Sequence, residues 1–414
     1  MQLHSFAAAL AALTLAGCAA HQAGPGLAGS PGALPTHTIP GEAAINAEVA
    51  AAMSATGARG LALAVIDNGA VTMVRAYGER NAAGEPLTPD TIMYGASLTK
   101  AAFAYMVMQL VDEGRLDLDT TIDHYLPRPL PDYSDPAVED AYARWSDLAG
   151  DERWRRLTPR ILLNHASGFA NFGFMEPDGR LRFHFDPGTR YSYSGDGLIL
   201  LQFVLEQGLH LDVGREMQRR VFEPFGMTRS SMVWRPDFAA NLADGWSLDG
   251  TVTPHDERSA VRAAGSLDTT ITDFARFAAA DVRGDGLSAR ARQELTRPQL
   301  PILSAREFPV LQPDAPPGRR FPGLAAGLGV ITFNGPQGPG FEKGGHNDST
   351  GNKWVCIEAR RRCVVFLSND VRAEAAYPRL ATFILGETGA PWSWEYADMQ
   401  FWRHDAVQTS SPQP

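Results

Sequence analysis

The stretch Tyr94-Gly95-Ala96-Ser97-Leu98-Thr99-Lys100 opens onto a run, residues 101–111, in which Ala101, Phe103, Tyr105, Met106, Val107, Met108, Leu110 and Val111 make a helix apolar almost all the way round. A helix apolar all round is a buried one, and Gly114 stops it. Ser97 falls in the first turn, three residues before Lys100, so the two side chains leave one face about 5–6 Å apart at Cβ. A hydroxyl and an amine therefore meet at the mouth of a rigid helix.

That pair suits nucleophilic catalysis, because a serine attacks only when a base takes its proton and a lysine is a base only when neutral. From an ordinary pKa of about 10.4, neutrality near pH 7 needs a depression of roughly 3 units, or about 4 kcal/mol of desolvation and like-charge repulsion. The helix N-terminus also favours a developing alkoxide. The structural alternative makes Ser97 an N-cap and Lys100 a solvated first-turn lysine. Thr99 stands where the G-x-S-x-G elbow of α/β-hydrolases has its second glycine, which excludes that arrangement.

Upstream, residues 61–66 and 71–77 are β-rich runs around Asp67-Asn68-Gly69-Ala70, and Asn-Gly between such runs predicts a hairpin. An Ala-rich helix is expected over residues 44–55. Residues 1–18 read as an export signal whose apolar core, residues 6–15, is too short to span a bilayer. Leu15-Ala16-Gly17-Cys18 resembles a bacterial lipobox, which would make Cys18 the lipidated first residue of the mature chain; only His4 precedes the apolar core as a cationic residue. An ordinary secretory cleavage is the alternative. Ala19 after the cysteine is what the resemblance associates with outer-membrane sorting, with the protein facing the periplasm. Residues 19–43, rich in Ala, Gly and Pro, read as a tether.

With 414 residues and 44% of them hydrophobic the chain can build a large core, and its net charge of −10 argues against nucleic acid as a partner. Downstream of the Ser97 helix, Leu157 to His165 reads as a helix with Pro159 in its first turn, and His165 is either a catalytic imidazole or a helix C-terminal histidine suited to the dipole. Residues 186–197 form a turn carrying Tyr191, Tyr193 and Ser194 before another apolar helix. Tyr193 can relay a proton if nearby lysines lower its pKa, or it can simply pack. Further helices are expected over 213–224, 272–277 and 373–385, and strands over 327–333, 354–357 and 363–367. Strands at both ends around a helical middle predict an α+β fold: an antiparallel sheet flanked by helices, built from residues 44–95 and 325–390, with a helical lobe over 96–324 and a tail from 391 to 414.

Cys356 and Cys363 lie in two strands joined by a short turn, where they form a cross-strand disulfide or remain two buried thiols. No metal-binding spacing is present and no cofactor is expected. Lys343-Gly344-Gly345 combines a cation with a side-chain-free approach to backbone, or marks an ordinary turn.

Three motifs thus occur in order: Ser97-x-x-Lys100, Tyr193-Ser194 and Lys343-Gly344-Gly345. Together with Pro187-Gly188-Thr189 and Ala264-Gly265-Ser266-Leu267, they resemble the serine β-lactamase and penicillin-recognising D-Ala-D-Ala peptidase superfamily, in its class C and esterase branch. The resemblance implies Ser97 as the acylated nucleophile, Lys100 as its base and Tyr193 as a proton shuttle. It also implies Lys343, Gly344, Gly345 and Ser194 as substrate-binding positions. The oxyanion hole would join the Ser97 N–H to one from the strand after Lys343. Two departures bear on substrate: Gly195 replaces the asparagine of Tyr-x-Asn, and Gly344 replaces a Thr or Ser hydroxyl. The expected activity is hydrolysis of a small-molecule ester or amide, with β-lactam or D-Ala-D-Ala (peptidoglycan-like) peptide cleavage as one alternative and a non-catalytic cell-wall-binding protein as another. A membrane partner is expected only through the lipid anchor.

Overall fold

A computed structural model describes residues 37–403. The leader, the lipobox with Cys18 and most of the tether lie outside the described residues, as do residues 404–414. Glu42–Thr56 forms α1, Gly60–Asp67 and Ala70–Gly78 form β1 and β2, and Leu98–Asp112 forms α2. Asn68 and Gly69 both take positive φ (51° and 75°), as a two-residue hairpin turn whose twist matches the strands requires.

Gly195–Gly208 and Ile271–Arg283 form α3 and α4. The other strands of the main sheet are β3 (Leu300–Pro301), β4 (Ala325–Ala326), β5 (Ile331–Gly335), β6 (Gly338–His346), β7 (Gly351–Ile357) and β8 (Arg362–Ser368), and Tyr377–Leu385 forms α5. The eight strands make one antiparallel sheet in the order β2-β1-β8-β7-β6-β5-β4-β3, so the first and last long strands pair, with Val65 opposite Val364. Both chain ends build the sheet and the stretch between them supplies helices, as an α+β fold requires.

Alternation along the strands sends side chains to two different cores. Leu61, Leu63, Val65, Val364 and Phe366 pack with Ile45 and Val49 of α1 and Leu380 and Ile384 of α5. Ala62, Ala64, Val365 and Leu367 face the other way, into the core that holds Phe274 and Phe277 of α4 and all of the apolar run of α2. Strands buried on both faces read as unbroken apolar runs. Cys356 and Cys363, opposite each other across β7 and β8, are disulfide-bonded and wholly buried.

Four expectations shift. Of the strand expected over 327–333 only the end is extended: β5 begins at Ile331, and residues 327–330, with Gly329 at positive φ, turn the chain back from β4. The helix expected from 373 starts as a 3-10 turn, Val371–Ala376, because its α-helical part begins only at Tyr377. In the 213–224 helix, Val213–Met217 is α-helical and Gln218–Phe222 a π-turn. The described part of the expected tail, residues 391–403, packs onto the body: Trp392–Glu395 is a helical turn, Trp394 is fully buried and the Glu395 carboxylate is paired inside the protein. An indole and a buried ion pair hold down what composition alone reads as a loose end.

Candidate active site

The start of α2 is held by the segment 264–267. Tyr94 Oη donates to the carbonyl of Gly265 (2.7 Å), the Gly95 N–H to that of Leu267 (2.8 Å), and the Leu267 N–H to Thr99 Oγ1 (3.0 Å). Ala96 is forced to φ +47°, a strained conformation for a residue with a Cβ. Ser97 follows at the N-cap position, yet its side chain caps nothing. Instead Oγ meets Lys100 Nζ at 3.0 Å and Tyr193 Oη at 2.7 Å. One hydroxyl is thus the common neighbour of an amine from its own helix turn and a phenol 96 residues further along the chain.

Lys100 is buried, and its Nζ also donates to the Ala264 carbonyl at 2.5 Å. Burial first, and then the Lys343 charge, hold its pKa well below the ordinary lysine value, against a smaller opposing effect of Glu307. The solvated-lysine alternative does not describe this residue. With the amine neutral, the 3.0 Å contact can also run from Ser97 O–H to the nitrogen lone pair.

Tyr193 corrects an expectation. Its ring lies under both amines, 4.9 Å from Lys100 Nζ and 5.1 Å from Lys343 Nζ to the ring centroid. Burial nevertheless pushes its pKa up, only partly offset by the bond to Ser97. The Glu307 and Glu395 carboxylates push the same way as burial, so the phenol keeps its proton. Tyr191 is turned away, donating to Glu307 Oε1 at 2.7 Å. The two-residue ambiguity between the tyrosines therefore resolves by position: Tyr193 alone of the two bonds to Ser97.

Ser194 does not reach the cleft. It is fully buried at the N-cap of α3, where Oγ accepts the Gly197 N–H (3.1 Å) and donates to the Ala170 carbonyl (2.8 Å). Its hydroxyl is used by the helix it starts, which rules it out as a substrate contact. His165 is neutral rather than a partial cation serving a helix dipole: burial, then Lys100 and Lys343, hold its pKa well below the usual range. Its Nδ1 accepts the Ser194 N–H at 3.1 Å and its ring stacks on Tyr193 with centroids 4.5 Å apart. The imidazole positions the phenol.

Lys343 lies on the opposite wall, its Nζ bonded to the Gly344 carbonyl at 2.9 Å. Gly345 presses on the start of α2: a Cβ there would stand 2.8 Å from the Gly95 carbonyl oxygen and 3.1 Å from the Ser97 nitrogen. Strand β5 pairs with β6 only as far as Glu342, which leaves the edge beyond it open. Across the β6–β7 turn the Asn347 N–H donates to the Thr350 carbonyl (3.0 Å). By alternation the His346 N–H points to the open edge, into the cleft that His346 and Ser97 both line. Two backbone donors, at 97 and 346, are therefore available to a developing oxyanion.

Both glycine departures have a spatial cause. A Cβ at 195 would fall 2.3 Å from the Phe172 ring, and one at 344 would fall 1.9 Å from Glu395 Oε1. Sequence reasoning missed Phe172, Glu307 and Glu395 because each enters from a segment distant in sequence. A Trp-rich ending was the only signal pointing to Glu395. The cleft encloses about 1310 Å³ and includes Phe172, Phe174 and Met175 in its lining. Phe174 is 76% and Met175 62% exposed, an apolar rim in a largely charged mouth. Among the described residues no group of three His, Cys, Asp or Glu side chains is placed to hold a metal ion.

A family model described as Beta-lactamase matches residues 45–387. Monacolin J acid methylbutanoyltransferase of Aspergillus terreus is 29% identical over 206 residues, covering 43% of this chain and 48% of that protein. Lovastatin esterase of Penicillium rubens is 29% identical over 197 residues, 41% of this chain and 48% of that protein. The match thus spans about half the length of these relatives. Among solved structures, the octameric penicillin-binding protein homologue from Pyrococcus abyssi superposes with a TM-score of 0.64 at 19% identity, over 84% of this chain and 78% of that one, and so shares the fold.

Proposed function

This chain belongs to the Beta-lactamase family, and on that premise we propose that it is an exported serine hydrolase that cleaves an ester or amide through an acyl group held on Ser97. The observation that carries this reading is the single oxygen, Ser97 Oγ, with the buried Lys100 amine at 3.0 Å and the Tyr193 phenol at 2.7 Å. Lys100 takes the Ser97 proton as Oγ attacks the carbonyl carbon. The oxyanion falls to the N–H groups of Ser97 and His346, each donor worth roughly 3–4 kcal/mol in acyl transfer. Tyr193 gives its proton to the leaving oxygen or nitrogen. The Lys100 ammonium, with Oγ as a shared neighbour, returns a proton to the phenolate. Water then attacks the acyl-serine with the same groups acting in reverse.

An ester is favoured over a β-lactam or a D-Ala-D-Ala peptide by the two glycine positions, whose side-chain space is taken by Phe172 and Glu395. Similarity to an esterase and to an acyltransferase supports the same preference, with water or another alcohol as acceptor. Export and lipid anchoring at Cys18 rest on residues 1–18, and loss of radiolabelled fatty acid incorporation in Cys18→Ala tests them. The hydrolase reading is tested by fluorophosphonate and fluorescent-penicillin labelling of wild type and Ser97→Ala, followed by rates on p-nitrophenyl esters and nitrocefin. Ser97-dependent labelling with faster ester than nitrocefin turnover is expected. No Ser97-dependent label under either probe would leave a cell-wall-binding protein on a hydrolase fold.

A further inference from the structure

We propose that Glu395, brought in by the C-terminal segment, sets the substrate class of the cleft: it holds the place beside Lys343 that an anionic substituent would take, so the site accepts esters and amides uncharged on that side and turns carboxylates away. The inference rests on the serine-hydrolase reading above and deepens it.

The geometry starts at Gly344. An ideal Cβ there would lie 1.9 Å from Glu395 Oε1 and 3.1 Å from its Cδ, so the missing side chain at 344 and the carboxylate share one volume. The other oxygen, Oε2, is paired with Lys353, which is paired in turn with Glu342, all three being buried. Glu395, Gly344, Lys343 and Ser97 all line the same cleft. The carboxylate is therefore a wall of the acyl-transfer site, anchored from behind by Lys353.

Lys343 is the cation that would receive a substrate anion, and it is already surrounded. Its Nζ is spent on the Gly344 carbonyl, and Glu307, Glu395 and Glu342 all act on its charge. Three carboxylates thus share two amines, Lys343 and Lys353, while His346 faces a fourth acid, Glu374, at 3.5 Å. Buried carboxylates in excess of their counter-ions resist ionising. Glu342 shows this, its pKa pushed up to about 8 by burial and by Glu395. A fifth carboxylate, delivered by a substrate, would enter a pocket that already holds more acids than it can keep charged.

A matched pair of substrates reads this directly. Wild type should cleave phenyl acetate with a kcat/KM about tenfold or more above that for 3-acetoxybenzoate, the same ester with a carboxylate on its leaving group. Glu395→Gln, which keeps the volume and removes the charge, should narrow that ratio by about tenfold. Since a buried ion-pair variant can fail to fold, wild type is also titrated with phenylboronic acid and 3-carboxyphenylboronic acid, both of which can form adducts with a nucleophilic serine. The carboxylated compound should inhibit about tenfold more weakly. Equal treatment of the two members of each pair, or an unchanged ratio in folded Glu395→Gln, overturns the inference alone. Absence of both Ser97-dependent turnover and boronate inhibition overturns the serine reading, and this inference with it.

Discussion

Lys100 holds a primary amine where solvent cannot reach it, and its protonation state decides whether Ser97 has a base. Its folded pKa lies below the 10.5 of an exposed lysine, so as pH falls the unfolded chain takes up that proton first. The stability linked to this group is fully present above pH 10.5 and is lost as pH falls through the folded value. Lys100→Met removes the titration while filling the space. The melting temperature of the variant, measured against wild type, should therefore stand relatively highest at neutral pH and lose that advantage as pH approaches 10.5. A difference that stays constant with pH would mean that Lys100 is charged in the folded protein. The same variant should lose serine acylation by about 10²–10⁴-fold, the usual contribution of a positioned base. Tyr193→Phe should lose a similar factor with little change in melting temperature, since only the hydroxyl bonded to Ser97 is removed. The S-x-x-K spacing was legible because a helix repeats. The protonation states were not, because they depend on burial and on charges arriving from residues 307 and 343.

Between elements, the decisive contact is that of β6 with the first turn of α2. Strand and helix meet backbone to backbone at Gly345, and the distance between them sets the separation of the Ser97 and His346 N–H groups. Gly345→Ala would place a methyl 2.8–3.1 Å from three backbone atoms of residues 95–98, and neither element can yield cheaply. Activity is expected to fall by about 10²–10³-fold, the value of one oxyanion donor, with a loss of about 1–3 kcal/mol in stability from overpacking. Full activity with an intact fold would show that the oxyanion is held elsewhere. Helix α2 and the β1–β2 hairpin were readable from periodicity and from Asn68-Gly69. The partner of each was not, since an open strand edge at 343–346 exists only because β5 stops pairing at Glu342.

Over the whole molecule, closure depends on the two chain ends. β1 pairs with β8, α1 and α5 cover one sheet face, and the C-terminal segment returns to seal the cleft with Trp394 and Glu395. Trp394 is fully buried, near Tyr191 (centroids 5.9 Å), with its indole N–H on Ser304. Trp394→Ala should cost about 3–5 kcal/mol by chemical denaturation and should also disturb turnover, because Glu395 is its neighbour. A melting curve unchanged by that substitution would make the segment a detachable tail after all. Removing the Cys356–Cys363 bond should cost less, about 2 kcal/mol, because a hairpin already closes its short loop.

The amino-acid order alone determined whatever is local: an all-apolar helix, a serine one turn before a lysine, a hairpin at Asn68-Gly69, and an ordered set of short motifs sufficient to suggest the family and the α+β fold. These follow from backbone geometry over a few residues, which no distant contact needs to supply. Tertiary structure decided which tyrosine bonds to Ser97, that Ser194 is a helix cap, that Lys100 is desolvated while Tyr193 keeps its proton, and that Phe172 and Glu395 fill the space of two absent side chains. Each of these is a matter of which far-off residue excludes water or brings charge, and a linear pattern carries no distance between residue 344 and residue 395 until the chain has closed.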